Sequence, residues 1–257
     1  MRALVLSDIH ANLEALEAVL DAAAGQWDVV WNLGDIVGYG ANPNEVLALI
    51  RPLGGLTVRG NHDRVCSGIS SAANFNPAAR TAAQWTLQRL TADNLLWLRT
   101  LPQGPVQPEP SPDGHVESPV MLAHGSPLNE DEYILNVRDA WAPLQQMTTA
   151  LAFVGHTHVQ GGFQQREHAW EEIRPKYRGR GREAWTLTID PGTRQLINPG
   201  SVGQPRDHDS RAAFAIYDSE TCRVTYHRVP YDVAGAQRHI LEAGLPERLA
   251  QRLGEGR

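Results

Sequence analysis

The order of strands and helices in this sequence predicts an α/β fold in which two sheets pack face to face with helices outside. In the first third of the chain, short apolar strands alternate with helix-forming segments. Beyond residue 151, strands follow one another without long helices between them. The chain has 257 residues, of which 42% are hydrophobic and 20% charged, and this suits one folded domain over residues 1–257.

The first third contains three predicted strands, each followed by a loop or a helix. The strands are ALVLS (3–7), VVWNL (29–33) and LTVR (56–59). Asn12 is suited to cap the first helix, which Gly25 ends. Asn42 followed by Pro43 begins the second, because proline is favoured at the first helical position.

The middle of the chain contains two further helices and a segment rich in proline. Asn76 and Pro77 begin one helix, and NLLWLRTL (94–101) forms a shorter one that ends before Pro102. The segment 103–119, QGPVQPEPSPDGHVESP, has the composition of a linker. We interpret it as a protruding hairpin or loop, because a buried type of strand resumes directly afterwards.

The remaining elements are six strands and a helical C-terminus. The strands are VMLA (120–123), LAFVG (151–155), TLTID (186–190), QLIN (195–198), AAFAIYD (212–218) and CRVTYHRV (222–229). One or two helices begin near Asp232. We therefore expect a core over about residues 1–229 and a helical segment over about 232–257.

Charge and cysteine content exclude several classes of protein. A net charge of −6 leaves no overall electrostatic footprint for duplex DNA or an anionic membrane. Cys66 and Cys222 form no CxxC pair, which argues against a disulfide framework and against a thiolate metal site. The apolar run before Asp8 is too short for a signal peptide, so we expect a soluble cytoplasmic protein.

Five of the predicted buried strands are followed by side chains that bind metals. These are Asp8 and His10, Asp35, Asn61, His124, and His156 with His158. The carboxyl ends of strands in an α/β sheet converge on one crevice. In an extended stretch, residues two apart point the same way, so Asp8 pairs with His10 and His156 with His158. Imidazoles and carboxylates without thiolates suit Mn, Fe, Zn, Ni or Co.

Seven such groups are too many for one cation. Two cations about 3.5 to 4 Å apart need at least one bridging group, and a carboxylate has two oxygens. Asp35 stands among three glycines in GDIVGYG (34–40), where the loop can fold tightly. We therefore expect Asp35 to bridge two cations.

Five motifs, in this order, resemble those of the calcineurin-like metallophosphoesterases. They are SDIH (7–10), GDIVGYG (34–40), RGNHD (59–63), AHGSP (123–127) and GHTH (155–158). INPGSVGQPRD (197–207) and FNPAARTAAQWT (75–86) resemble the small bacterial branch of YfcE-type phosphodiesterases and diadenosine tetraphosphatase-like proteins. The resemblance covers about residues 1–229 and implies an α/β fold, a four-layer α/β/β/α sandwich of two mixed sheets flanked by helices.

The resemblance also implies a role for each site residue. Asp8, His10 and His158 would bind one divalent cation, Asn61, His124 and His156 the other, and Asp35 both. His62 would face the substrate and protonate the leaving oxygen, while hydroxide formed from water between the cations attacks phosphorus. The implied activity is hydrolysis of a small phosphodiester or phosphomonoester, nucleotides included, with manganese as the first choice of metal.

One motif departs from part of the family. Gly38 and Tyr39 stand where Ser/Thr protein phosphatases carry Asp and Arg in GDxVDRG. This argues against protein phosphatase activity and against close similarity to the enterobacterial diadenosine tetraphosphatases. Arg206 is a catalytic and substrate-binding candidate that would supply the missing positive charge; the alternative is a surface salt bridge.

Other polar residues have a structural alternative beside the functional one. Asn12 and Tyr39 are substrate-binding candidates, against helix capping and simple packing. Asp63 is expected to make structural hydrogen bonds in its loop. The basic run RPKYRGRGR (174–182) is expected to be a solvated hairpin, against a lid over an anionic substrate or a nucleic-acid contact. Surface positions are expected for His115, His168, His208, His227 and His239, and core positions for the tryptophans, including Trp85, Trp97 and Trp141.

Two other functions stay open at this stage. A nuclease acting on single-stranded DNA or RNA would use a similar metal site, but the acidic balance of the chain disfavours it. A non-catalytic metal-binding scaffold is disfavoured because the ligands and His62 are all present. We expect a small phosphorylated substrate as partner and neither a membrane nor nucleic acid, and the oligomeric state is open.

Overall fold

The computed structural model describes residues 1–109 and 119–257, and within them the chain forms eleven strands and eight α-helices. The strands are β1 (Arg2–Leu6), β2 (Val29–Asn32), β3 (Leu56–Thr57), β4 (Val120–Leu122), β5 (Leu151–Phe153), β6 (Gly161–Arg166), β7 (Ala169–Ile173), β8 (Glu183–Thr188), β9 (Thr193–Asn198), β10 (Ala212–Asp218) and β11 (Arg223–Val229). The helices are α1 (Leu13–Ala23), α2 (Pro43–Ile50), α3 (Asn61–Cys66), α4 (Pro77–Arg89), α5 (Ala92–Thr100), α6 (Val137–Gln146), α7 (Val233–Glu242) and α8 (Glu247–Glu255).

The strands form two mixed sheets. The six-stranded sheet has the order β3-β2-β1-β10-β11-β8, with β1, β2 and β3 parallel and the rest antiparallel. The five-stranded sheet has the order β4-β5-β9-β6-β7, with β4, β5 and β9 parallel. The parallel strands of both sheets carry the loops that build the site.

Alternation along the strands places one apolar face of each sheet inside the sandwich. Val5 and Trp31 of the first sheet pack against Phe153 and Ile197 of the second. On the outer faces, Leu4 and Leu6 pack against Leu16 and Val19 of α1, and Ala152 and Leu196 pack against Ala140 and Leu144 of α6. The predicted four-layer α/β/β/α sandwich is confirmed.

The predicted helix starts are also present. Asn12 Oδ1 accepts a hydrogen bond from the Ala15 amide at 3.1 Å, and Asn76 Oδ1 accepts one from the Ala79 amide at 3.0 Å. Asn42 occupies the N-cap of α2 but makes no side-chain capping bond there. For the start of α2, Pro43 at the first helical position is therefore the more reliable sequence signal than Asn42.

Four elements gave no clear signal in the sequence. β6 begins with two glycines and continues with Phe, Gln, Gln and Arg, so it lacks an apolar alternation. β7 pairs with it as a hairpin and is mostly exposed. α6 carries Pro143 in its interior, and α3 has only six residues. Tertiary packing rather than local pattern determines these elements.

Three expectations about individual positions are wrong. His227 is buried, 7% exposed, and stacks on Phe214 at 4.6 Å, where burial lowers its pKa to about 4. Trp141 is 53% exposed because it lies on the solvent side of α6. The run 174–182 is not a hairpin, since it connects β7 of one sheet to β8 of the other.

The remaining expectations of this kind are met or fall outside the structure. His168, His208 and His239 are exposed. His115 and most of the second half of the segment 103–119 lie outside the described residues. Within the described part, Val106 pairs with Leu122 of β4. None of the helices in the described ranges is both long and apolar enough to cross a membrane.

Candidate metal centre

The loops that follow the parallel strands of both sheets meet at one place. The Asp8 amide donates to the Gly34 carbonyl at 3.0 Å, joining the loops after β1 and β2. The Gly155 amide donates to the His124 carbonyl at 2.7 Å, joining the loops after β4 and β5. The His156 amide donates to Asp8 Oδ2 at 3.1 Å and ties the two sheets together.

Five of the candidate ligands have left-handed backbone conformations. The φ angles are 54° for Asp8, 50° for His10, 53° for Asp35, 66° for His156 and 61° for His158. These stretches are therefore not extended. The prediction that Asp8 pairs with His10, and His156 with His158, because alternate residues of an extended stretch point the same way is wrong in its reason. Such conformations cost about 1 to 3 kcal/mol each and persist where the surroundings impose them, typically at functional sites.

The ligand atoms fall into two groups that share Asp35. The first group contains Asp8, His10, Asp35 and His158, and the second contains Asp35, His124 and His156, with ligand atoms within 4.8 Å of one another. Asp35 Oδ2 lies 3.7 Å from His10 Nε2 in the first group and 3.4 Å from His124 Nε2 in the second. Asn61 Oδ1, 3.2 Å from His124 Nε2, adds an oxygen to the second group.

Backbone carbonyls hold the four imidazoles in place. In three of them Nδ1 faces a carbonyl oxygen: His10 that of Val37 (3.3 Å), His124 that of Leu33 (2.8 Å) and His158 that of Gln204 (2.6 Å). His156 is reversed, with Nε2 facing the Asp131 carbonyl at 3.3 Å. A carbonyl accepts only from N–H, so the opposite ring nitrogen carries its lone pair into the site in the neutral imidazole.

This donor set fits divalent cations. His10 Nε2 lies 3.3 Å from His158 Nε2, and His124 Nε2 lies 3.1 Å from His156 Nδ1. Neutral imidazole lone pairs this close repel each other, whereas a cation that accepts both turns the same geometry into ligation. Asp8 Oδ1 is buried without a hydrogen-bond partner among the described residues, which a metal bond would satisfy.

The electrostatics of the site favour metal-binding protonation states for most of the ligands. Burial lowers the pKa of His10 and His158 well below the usual range and that of His156 to about 3. Burial opposes ionisation of Asp35, but His124 and His62 hold its pKa well below the usual value. At His124, burial is outweighed by Asp35, which raises the pKa to about 10, so a cation there would displace a proton.

His62 lies beside the two groups in an aromatic enclosure. Its ring centroid is 4.3 Å from that of Tyr39, 4.5 Å from that of Phe75 and 4.9 Å from that of His10. Its amide donates to Asp35 Oδ1 at 2.8 Å. Its Nδ1 is buried with no hydrogen-bond partner in the described part of the chain. Burial lowers its pKa to about 4.

Gly38 makes this position of the His62 ring possible. A Cβ atom on Gly38 would lie 2.5 Å from His62 Nδ1, and the glycine has a φ of +90°. In the GDxVDRG pattern an Asp stands at this position, so that side chain and the present His62 placement exclude each other. The glycine that replaces the Asp of the GDxVDRG pattern therefore leaves the space that the His62 ring occupies.

Replacing Gly38 with Ala is expected to destabilise the protein and to displace His62. A left-handed φ alone costs an alanine about 1 to 2 kcal/mol, and the overlap with the imidazole adds to this. Gly25→Ala is the matched control, since Gly25 has a φ of +72° and a Cβ atom added there would meet no described atom within 4 Å beyond its chain neighbours. Denaturant unfolding should show a larger loss for Gly38→Ala; equal losses in the two variants would contradict the steric role.

Asp63 and Asn12 are engaged within the protein. Asp63 Oδ1 accepts from the amides of Ile36 and Val37, and its Oδ2 accepts from that of Gly60, so it makes the structural bonds expected of it. Asn12 caps α1 and donates from Nδ2 to the Gly203 carbonyl at 2.8 Å. These bonds favour the capping alternative for Asn12.

Arg206 and two tyrosines lie next to candidate ligands. The Arg206 amide donates to the His158 carbonyl at 3.2 Å, and its Cζ lies 6.0 Å from the centroid of the buried Tyr39 ring. Tyr133 stacks on His156 at 3.8 Å and is 45% exposed. Sequence reasoning missed Tyr133, because it lies in a loop between β4 and α6 that carries no motif.

Comparison with known proteins identifies the family of this chain. Residues 1–222 match the calcineurin-like phosphoesterase superfamily domain. The chain is 38% identical over 258 residues to the uncharacterized protein MJ0912 of Methanocaldococcus jannaschii, covering 98% of this chain and 97% of that protein.

Two solved structures are similar over the whole chain. A metallophosphoesterase from Sphaerobacter thermophilus is 43% identical, with a TM-score of 0.81 and coverage of 100% of this chain and 99% of that one. The hypothetical protein PH1004 from Pyrococcus horikoshii OT3 shares the fold, at 21% identity and a TM-score of 0.77, with coverage of 100% and 98%. With its buried Asp and His cluster compatible with a metal site, the chain belongs to the calcineurin-like phosphoesterase superfamily.

Proposed function

We propose that this protein uses two divalent cations to hydrolyse small phosphodiesters or phosphomonoesters, nucleotides among them. The observation that carries the proposal is the single carboxylate, Asp35, that belongs to both groups of ligand atoms. Asp8, His10 and His158 would hold one cation with it, and Asn61, His124 and His156 the other. Oxygen and imidazole donors without thiolates suit manganese, which we propose first, and also iron, zinc, nickel or cobalt.

Bound cations of this kind neutralise phosphate oxygens and lower the pKa of water so that it attacks as hydroxide. Within the chain, Arg206 would bind a phosphoryl oxygen; this role is supported by a guanidinium that forms no ion pair with a described carboxylate and donates to Gln204 Oε1. His62 would give a proton to the leaving oxygen. A phosphate dianion beside it would favour the imidazolium form and oppose the effect of burial.

The proposed hydrolysis needs only water besides the phosphoester. The water oxygen forms a bond to phosphorus, and the bond from phosphorus to the leaving oxygen breaks with its electron pair staying on that oxygen. The proton on His62 completes the alcohol product, and the proton that water releases on becoming hydroxide replaces it on His62 by exchange through solvent. Protonation of this kind contributes about 10² to 10⁴-fold to a rate.

A metal-dependent hydrolysis screen tests this function. Protein stripped with a chelator and then supplied with manganese is assayed on bis-p-nitrophenyl phosphate, p-nitrophenyl phosphate, cyclic nucleotides and single-stranded DNA. We expect turnover of a small ester that requires the metal. Preferred cleavage of DNA would support the nuclease alternative, and silence in protein shown to hold two cations would support the scaffold.

A further inference from the structure

Two arginines near the site lack the partners that the other shielded arginines have. Among the residues that the structure describes, five other arginines that are not fully exposed each form an ion pair with a carboxylate: Arg2, Arg59, Arg64, Arg211 and Arg228. Arg206 and Arg252 are shielded to a similar degree, and neither forms an ion pair with a described Asp or Glu side chain. Arg252 Nε donates to the Arg257 main-chain oxygen at 2.7 Å, and Arg206 donates to Gln204 Oε1 at 3.1 Å.

The two guanidiniums lie around one tyrosine. Arg206 Cζ is 6.0 Å and Arg252 Cζ is 5.8 Å from the centroid of the Tyr39 ring. The pKa of Arg252 is lowered first by burial and second by the positive charge of Arg206. Arg206 Nε is also buried with no described hydrogen-bond partner. Two guanidiniums around one ring, neither paired with a described Asp or Glu, form an anion-binding arrangement.

Tyr39 connects this pair to the proposed acid. The Tyr39 ring lies 4.3 Å from that of His62, which also contacts Phe75. Arg206 lies in the segment after β9 and its amide donates to the His158 carbonyl, whereas Arg252 lies on α8. Both guanidiniums therefore lie near the tyrosine ring against which His62 packs.

An open groove continues from this side. It lies between the start of α4 and α8, has a volume of about 730 Å³, and includes Asn76, Arg248, Arg252 and Arg257 in its lining. Asn76 follows Phe75 directly, so the groove begins next to the His62 enclosure. Its one acidic lining residue is Glu255, which pairs with Arg257 at 3.7 Å. Among the described residues, no Asp or Glu side chain forms an ion pair with Arg248 or Arg252.

We propose that Arg252 binds a second phosphate group carried by the leaving group of the substrate, while Arg206 keeps its proposed role at the reacting phosphate. The enzyme then prefers phosphoesters whose alcohol product bears a distal phosphate. This inference rests on the proposed function for the position of the reacting phosphate. A guanidinium offers a phosphate paired N–H donors and a positive charge, which a neutral leaving group would leave unused. The bonds that form and break are those of the proposed hydrolysis.

Matched alkyl phosphates test the preference. Propane-1,3-diol, butane-1,4-diol and hexane-1,6-diol bisphosphates are compared with propyl, butyl and hexyl phosphate in the manganese-loaded protein. A symmetrical bisphosphate offers two identical phosphates to the enzyme, so its kcat/KM is divided by two before the comparison. We then expect the best bisphosphate to exceed the matching monophosphate at least tenfold in kcat/KM. Calorimetric binding of the same compounds should show the same preference.

Variants assign the preference to Arg252. Arg252→Met should lower the ratio of bisphosphate to monophosphate about tenfold, and Arg252→Lys, which keeps the charge but not the fork, should lower it less. Arg238→Met is the control, because Arg238 is exposed on α7 with a 3.9 Å contact to Asp232. Melting temperatures verify folding, and the Lys variant decides the question if the Met variant does not fold.

The outcomes separate this inference from the proposed function. Turnover of monophosphates and chromogenic esters without a bisphosphate preference, or an unchanged ratio in the folded Arg252 variants, would overturn the inference alone. Absence of all metal-dependent turnover would overturn the function. In that case the binding preference and its loss in Arg252→Met would still decide whether Arg252 binds a phosphate.

Discussion

Replacing Asp35 with Asn is expected to remove at least one of two bound cations and to lower turnover by about 10³-fold, or roughly 4 kcal/mol of transition-state stabilisation. The amide keeps the oxygen that accepts from the His62 amide, so the loop is expected to keep its shape. It loses the negative charge that serves both ligand groups. Metal content after dialysis, measured by atomic emission, and turnover of bis-p-nitrophenyl phosphate test this expectation.

A control variant shows whether the loss of metal and turnover is specific to Asp35. Asp93→Asn makes the same chemical change at an exposed position in the first turn of α5 that belongs to neither ligand group, and should keep both cations and full turnover. If Asp35→Asn also retained two cations with unaltered affinity, Asp35 would not bridge them. The two-cation proposal would then lose the observation that carries it.

The loops of the site could be predicted from the sequence because their chemistry is local. Asp8, His124 and His156 each follow an apolar strand closely, and the ends of neighbouring parallel strands must meet. The sandwich followed from the change between alternating and consecutive strands. Asp35 was predicted to be shared because seven ligating groups exceed what one cation takes, and its carboxylate belongs to both groups of potential ligand atoms.

The parts that sequence reasoning missed depend on contacts between distant segments. Tyr133 reaches His156 from a loop without a motif, and Arg252 reaches Tyr39 from a C-terminal helix more than 200 residues away in sequence. The left-handed conformations of Asp8 and His10 oppose local preference and exist because the assembled loops impose them. Local pattern carries no information about any of these.

His62→Asn should leave the metal content unchanged and lower turnover by an amount that depends on the leaving group. An alkoxide leaves poorly without a proton, so alkyl phosphates should lose about 10² to 10⁴-fold in kcat. p-Nitrophenolate is a stable anion, so p-nitrophenyl esters should lose far less. Steady-state rates on both kinds of ester, with metal analysis of the same samples, measure the difference.

This dependence separates a general acid from a residue that only supports the ligands. His62 is buried beside His10 and Tyr39, and its amide holds Asp35, so a structural disturbance would reduce both kinds of ester equally and release metal. His168→Asn, at an exposed position in the turn between β6 and β7, should change neither. Equal losses on both esters with cations retained would mean that His62 binds the phosphoryl group without protonating the leaving oxygen. A loss confined to poor leaving groups would establish it as the acid, because only proton transfer depends on the basicity of the departing oxygen.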